Sequence, residues 1–217
     1  MRMSWRLASR LSVISLAIVV VILISVIQHN RATPSAPSSS GSVGSTSTSA
    51  SGLQGTDLNG TQAPNFQLTD QYGKAVSLAQ FRGKPVVLTF LYTHCPDVCP
   101  LTAEHLHTTV QQLGSDAKNV AILAVSTDPK RDDTAAAMQF STEHNMQNYW
   151  HFLTGTQQKL SPIWSSYSIY AQQQQGKVNH STALFLIDKN GKERVYMGDD
   201  FTPNQMTANL QQLLKEK

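Results

Sequence analysis

Cysteine is almost missing from this 217-residue chain: there are two, Cys95 and Cys99, four positions apart. A disulfide between them would close too small a loop to stabilise a domain of this size, so their purpose is chemical. Charge is also scarce, at 14% of residues with a net +3, and no cluster of Lys and Arg interleaved with aromatic residues appears after the first residues. That argues against a nucleic-acid partner. Large side chains are lacking at the start, where the first 60 residues hold almost no aromatic or acidic residue. The remaining stretch, about 155 residues, is long enough to bury the core of one domain. No internal repeat is present.

What the first part does contain is an uncharged run of apolar residues and serines from Leu11 to Ile27. As a helix it spans roughly 25 Å, close to the hydrocarbon thickness of a membrane. Arg2, Arg6 and Arg10 precede it and only Arg31 follows closely, so the positive-inside rule puts the N-terminus in the cytoplasm and the rest outside. The run exceeds the core of a usual signal peptide and no clear A-x-A site follows, so we read residues 1–30 as a cytoplasmic N-terminus and single-pass plasma-membrane anchor. Residues 31–60 are rich in Ser, Thr, Gly, Ala and Pro, too poor in apolar surface to fold, and read as a flexible linker. It would reach roughly 30 Å from the anchor.

Residues 61–217 carry the fold. Val86 to Tyr92 and Val120 to Val125 are continuous apolar, β-branched runs that predict strands buried on both faces. Cys99, Ala103, Leu106, Val110 and Leu113 repeat at spacings of 4, 3, 4 and 3, a helical stripe ending near Gly114. Asp132 or Asp133 is placed to cap a helix running toward His144, and Thr156 to cap one through about Tyr167 that Pro162 should kink or restart. Asn190-Gly191 between two apolar runs predicts a hairpin, and Thr202-Pro203 opens a last helix. This order predicts an α/β thioredoxin-like domain with a mixed central sheet flanked by helices.

Thr93-His94-Cys95-Pro96-Asp97-Val98-Cys99-Pro100 falls between a buried strand and a helix N-terminus. The helix dipole there favours thiolate, the form that binds soft metal ions and attacks disulfides. Two thiolates select soft ions, Cu(I) foremost. Among seven histidines, His180 stands just before the first hairpin strand, in the loop that in this fold class lies beside the cysteine motif, and is the candidate third ligand. His94 is adjacent to Cys95 and should point away; His105 and His107 lie off the apolar stripe and should be solvated. Asp97 either tunes the site or caps the helix, and the methionines at 138, 146, 197 and 206 are packing or surface residues.

With Phe81-Arg82-Gly83-Lys84, Ser126-Thr127-Asp128-Pro129-Lys130-Arg131-Asp132, Leu153-Thr154-Gly155-Thr156 and His180-Ser181, the motif makes five ordered blocks. Residues 61–217 resemble the Sco/SenC family of copper-binding proteins that assist cytochrome c oxidase assembly. The resemblance implies copper, Cu(I) or Cu(II), on Cys95, Cys99 and His180. It also implies an N-terminal anchor, an oxidase copper-site subunit as recipient and an upstream copper donor. Two departures stand out: Asn179 where many relatives have an acidic residue, and a short glutamine-rich segment between Tyr170 and His180.

Three functions compete for the dithiol: copper chaperone, thiol:disulfide oxidoreductase keeping the oxidase cysteines reduced, and peroxidase. The peroxidase pattern Pro-x-x-x-Thr-x-x-Cys is absent, since Tyr92 and Leu88 stand three and seven residues before Cys95. Structural zinc wants four protein ligands where three are evident.

Overall fold

The two apolar runs lie side by side in parallel in the interior of a six-stranded sheet. The computed structural model describes residues 52–174 and 177–216, except for the side chains of 173, 174 and 177. Its strands in chain order are β1 (Thr56–Gln62), β2 (Gln67–Thr69), β3 (Ala75–Ser77), β4 (Val86–Leu91), β5 (Ala121–Ser126), β6 (His151–Leu153), β7 (Ala171–Gln174), β8 (Lys177–His180), β9 (Leu184–Ile187) and β10 (Lys192–Met197). Four helices join them: α1 (Val98–Leu113), α2 (Thr134–Glu143), α3 (Gln157–Ser166) and α4 (Pro203–Lys215). The main sheet has the order β1-β10-β9-β4-β5-β6, parallel across β4, β5 and β6 and antiparallel elsewhere. The mixed sheet of the sequence reading is present.

Period-2 alternation along β4 divides the core into two layers. Val87 and Leu91 pack toward α1, α2 and α4, joining Ala103, Leu106, Phe140 and Leu210. Val86, Leu88 and Phe90 face the other way, onto Leu160, Trp164 and Tyr167. Every residue of β4 and β5 is buried, which is why both read as unbroken apolar runs. The one polar side chain in β4, Thr89, donates its hydroxyl to the Ala183 carbonyl at 3.1 Å, so its burial leaves no donor unmet.

Several local expectations are met. Asp133 caps α2 by accepting the Ala136 N–H at 2.8 Å. Thr202 and Gln205 form a reciprocal capping box at the start of α4, and Asp188–Gly191 turns β9 into β10 with Gly191 at φ 70°. Others differ. Pro162 does not restart the helix: it sits inside α3, which continues through it.

The expected domain boundary at 61 falls within a strand: Leu53 is fully buried and β1 pairs with β10 from Thr56 to Gln62. The polar composition of 52–60 hid an edge strand, whose pairing comes from backbone groups rather than from apolar side chains. The glutamine-rich segment before His180 is not a plain loop but the antiparallel ribbon β7–β8. The predicted anchor, Leu11 to Ile27, lies outside the described residues; among those described, no helix is long and apolar enough to cross a membrane.

Candidate metal centre

β4 ends at Leu91 and α1 begins at Val98, so the chain between them is held at the C-terminal edge of the sheet, where open α/β sheets place their ligands. Asp97 occupies the cap position of α1 yet makes no side-chain bond to it, and it is exposed. The cap is supplied by sulfur instead. Cys95 Sγ accepts the Cys99 N–H at 3.4 Å, so a half-buried sulfur rests on the positive end of the helix. Cys99, in the first turn of α1, is fully buried among the apolar stripe the sequence marked. Both thiols are free.

His180 reaches the same place from the other side. Along β8 Val178 is buried in the same core layer as Leu184 and Met197, which pins the strand. His180, two residues on, shares that face. Its Nε2 stands 3.8 Å from Cys99 Sγ, and its Nδ1 is 3.0 Å from the Ser181 carbonyl. A carbonyl oxygen only accepts, so Nδ1 carries a hydrogen there, and Nε2 is the nitrogen turned to the sulfurs. The Tyr92 ring meets the imidazole edge to face at 5.4 Å, and the Arg131 guanidinium lies 5.8 Å from the centre of the Tyr92 ring.

The electrostatics separate the two cysteines. The Cys99 thiol, donating its hydrogen to Cys95, holds Cys95 down to about 3; His180 and the N–H groups of Asp97 and Cys99 add to this, against burial. Cys99 is pushed far up for the complementary reasons: it donates to Cys95, it is buried, and it neighbours the Cys95 charge. Burial first, and then the charge on Cys95, pushes the Tyr92 phenol up to about 12. At neutral pH the pair is one thiolate sharing one proton.

Two residues important to this geometry carry no signal of that role in the sequence. Tyr92 looks like the end of a strand. Asp132 and Asp133 are equivalent cap candidates, but Asp133 caps the helix and Asp132 turns inward. Its Oδ1 accepts the Thr93 N–H at 3.1 Å and the Thr93 hydroxyl at 2.7 Å, and its Oδ2 accepts the Ser126 hydroxyl at 2.6 Å. It ties the cysteine loop to the end of β5, and burial raises its carboxyl above the usual range. Asp132→Ala leaves those donors unmet, so the fold should lose about 2–3 kcal/mol and melt several degrees lower. Asp132→Asn, which keeps an acceptor, should lose less; equal and negligible shifts in thermal melting would contradict this role.

The remaining histidines fall elsewhere. His94 is exposed, with Nδ1 2.8 Å from the Thr93 hydroxyl. His105 is not simply solvated: it packs on Phe201 with ring centroids 5.3 Å apart and Nδ1 3.1 Å from the Phe201 carbonyl. His107 packs against Tyr149 and Gln111. Met146, Met197 and Met206 are buried packing residues.

Among the described residues no three His, Cys, Asp or Glu side chains form a finished metal cluster. What stands here is two sulfurs and an imidazole in mutual hydrogen-bonding reach. Metal bonds of about 2.3 Å to sulfur and about 2.0 Å to nitrogen put two donors of one ion at most about 4.3 Å apart, so the 3.8 Å between Cys99 and His180 lies within that span.

A bovine (Bos taurus) mitochondrial SCO2 homolog is 31% identical over 151 residues, which cover 66% of this chain and 56% of that protein. The match thus takes in little more than half of the relative's length. Among solved structures, copper-bound ScoI from Bradyrhizobium japonicum is 31% identical with a TM-score of 0.64, covering 71% of this chain and all of the other. Apo Sco1 from Thermus thermophilus is 29% identical with a TM-score of 0.65, covering 74% of this chain and 96% of the other. The SCO1/SenC family matches residues 54–215, nearly the whole folded part and every block of the site. This chain therefore belongs to the SCO1/SenC family.

Proposed function

We propose that this protein is a copper chaperone that holds one copper ion through Cys95, Cys99 and His180 and delivers it to the dinuclear copper site of cytochrome c oxidase during assembly. The observation that carries the reading is the meeting, across 81 positions of sequence, of the buried Cys99 sulfur with a His180 whose Nε2 faces it. Two soft thiolates favour Cu(I) and the imidazole suits Cu(II), so the donor set serves either state. Copper is the cargo. Cys95 is ready to bind as a thiolate, whereas Cys99 must give up its proton, so loading releases acid and weakens as pH falls. Cys95, half exposed at the rim, is where an incoming ligand can first compete for the ion; Cys99 and His180, deeper and on separate elements, retain it until the exchange is complete.

The copper-bound state of the ScoI relative supports this reading, as does membership of a family associated with oxidase assembly. The apolar run before residue 30 completes it as a single-pass anchor in the plasma membrane, with the domain on the extracytoplasmic side. The test is an anaerobic titration of the reduced protein with copper. One tightly held ion per chain is expected; no binding, or binding undiminished in the double variant Cys95→Ala/Cys99→Ala, would refute the proposal.

A second reading has an observation of its own: an accessible thiolate beside a buried thiol is the arrangement of an attacking and a resolving cysteine. Cys95 would attack a disulfide in the oxidase copper-site subunit, giving a mixed disulfide and a released partner thiolate. Cys99 would then displace the second partner sulfur. Two electrons pass to the partner, and Cys95 and Cys99 end as a disulfide. Failure of the reduced protein to reduce an oxidised fragment of that subunit would remove this reading and leave the chaperone role standing.

A further inference from the structure

Charge is distributed unevenly along the axis of the sheet. At the edge carrying the dithiol, exposed Asp97, Asp133, Asp199 and Asp200 outnumber the exposed cations Lys130 and Lys159. At the opposite edge, one length of β4 or about 20 Å away, stand Arg82, Lys84, Lys118, Lys189, Lys192 and Lys215. These come from the loop before β4, the turn before β5, the β9–β10 hairpin and the end of α4. They are neighbours in space. Lys84, Lys189 and Lys215 line one open cleft with Asp116, Lys84 Nζ donates to the Lys118 carbonyl at 3.0 Å, and the Arg82 guanidinium covers Gly191 beside Lys192. Two acids of that edge, Asp188 and Glu216, are both paired to Arg194; the others are Asp116, Glu143 at the end of α2 and half-buried Glu193, against six cations.

The chain also enters the domain toward this end. Gly52 lies against Gln212, one turn before the end of α4 at Lys215, and the Gln54 N–H donates to Asn209 Oδ1 at 2.8 Å. An apolar run ends only 25 residues before Gly52 in sequence, and the stretch between contains no acidic residue.

We infer that the basic edge docks on anionic lipid headgroups and so holds the domain upright, with Cys95, Cys99 and His180 facing away from the bilayer. The inference deepens the anchored-chaperone reading and rests on it for the nearness of the lipid. Each cation close to an anionic surface strengthens association roughly fivefold, and salt screens the attraction over about 10 Å at 0.1 M. Docking therefore depends on lipid charge and salt, while an apolar anchor depends on neither. An upright domain presents its acidic, thiol-bearing edge to a partner instead of burying it against the membrane.

The experiment floats the full chain with vesicles of phosphatidylcholine alone or with phosphatidylglycerol added, and measures acylation of individual lysines by mass spectrometry. Flotation with both vesicle types is expected. Lys118, Lys192 and Lys215 should lose reactivity several-fold only on the anionic vesicles and regain it in 0.5 M NaCl, whereas Lys130 and Lys159 should not change. The double variant Lys118→Glu/Lys215→Glu should abolish the protection. Flotation with both types but no selective protection, or protection of Lys130, overturns the docking and leaves the anchor intact. Salt-sensitive flotation with anionic vesicles alone supports docking and refutes the anchor. Flotation with neither overturns both.

Discussion

Replacing His180 by alanine should weaken Cu(II) binding by a hundredfold or more while leaving the fold nearly as stable as before. Altering groups that merely orient a metal ligand already costs about 10–100-fold, and here the ligand itself is removed. Its Nε2, 3.8 Å from Cys99 Sγ, has no substitute close by: His94 is exposed and turned to Thr93, and His105 is committed to Phe201. Cu(I) should lose less, because two thiolates alone satisfy a soft ion. The stability cost is small because the half-buried ring gives up one edge contact with Tyr92 and one local bond to Ser181. The measurement is competition affinity for both oxidation states alongside thermal melting, with His94→Ala as the control that should bind as the parent does. Equal affinity in His180→Ala would take the imidazole out of the site; a collapse in melting would assign it to the fold instead.

Alkylation of Cys95 should be nearly independent of pH between 5 and 8, where an ordinary thiol gains about tenfold in rate per unit. With its thiol held down to about 3, Cys95 is essentially all thiolate at pH 5, while a thiol of ordinary pKa is ionised to about one part in several thousand. A weakly basic thiolate is also a poorer nucleophile, with a Brønsted slope near 0.4–0.5. That returns roughly two and a half to three powers of ten, leaving Cys95 about tenfold faster than a free cysteine at pH 5 and slower at pH 9. The flat profile is therefore the sharper signature. Cys99, buried with its proton shared, should remain unmodified. Cys99→Ala removes the leading cause of the depression and should restore the ordinary slope. A parent profile rising tenfold per unit through neutral pH would refute the shared-proton arrangement.

The same depression has a consequence for stability. Cys95 is ionised in the fold but protonated in the unfolded chain between about pH 3 and its ordinary 9.0. The reduced fold thus gains stability as pH rises through that window and loses it as pH falls toward 3. Above 9 the raised Cys99 acts in the opposite sense. Half exposure of Cys95 screens the effect, so its direction is the testable part.

The strands of the central sheet, the helical stripe after Cys99, the Asn190-Gly191 hairpin and the cap at Thr202 were legible because each is encoded by local periodicity or turn chemistry. The placement of two cysteines at a strand-to-helix junction was legible for the same reason. β1 and β7–β8 were not: their residues are polar, and they form strands because neighbouring backbones offer hydrogen bonds and Val178 finds a place in the core. Asp132 and Asp133 look alike as cap candidates, and only the position of Thr93 and Ser126 distinguishes them.

The sequence by itself determined an α/β domain and a dithiol set at the start of a helix, since strand burial and helix phase depend on residues within a few positions of one another. The tertiary structure alone decided that His180 faces Cys99 with its Nε2, that Cys95 caps the helix in place of Asp97, and that cations gather at the edge away from the thiols. The first and the last are relations between residues far apart in the chain, which exist only once the sheet has closed between them; the sulfur cap spans four residues, in a loop that distant Asp132 holds at Thr93.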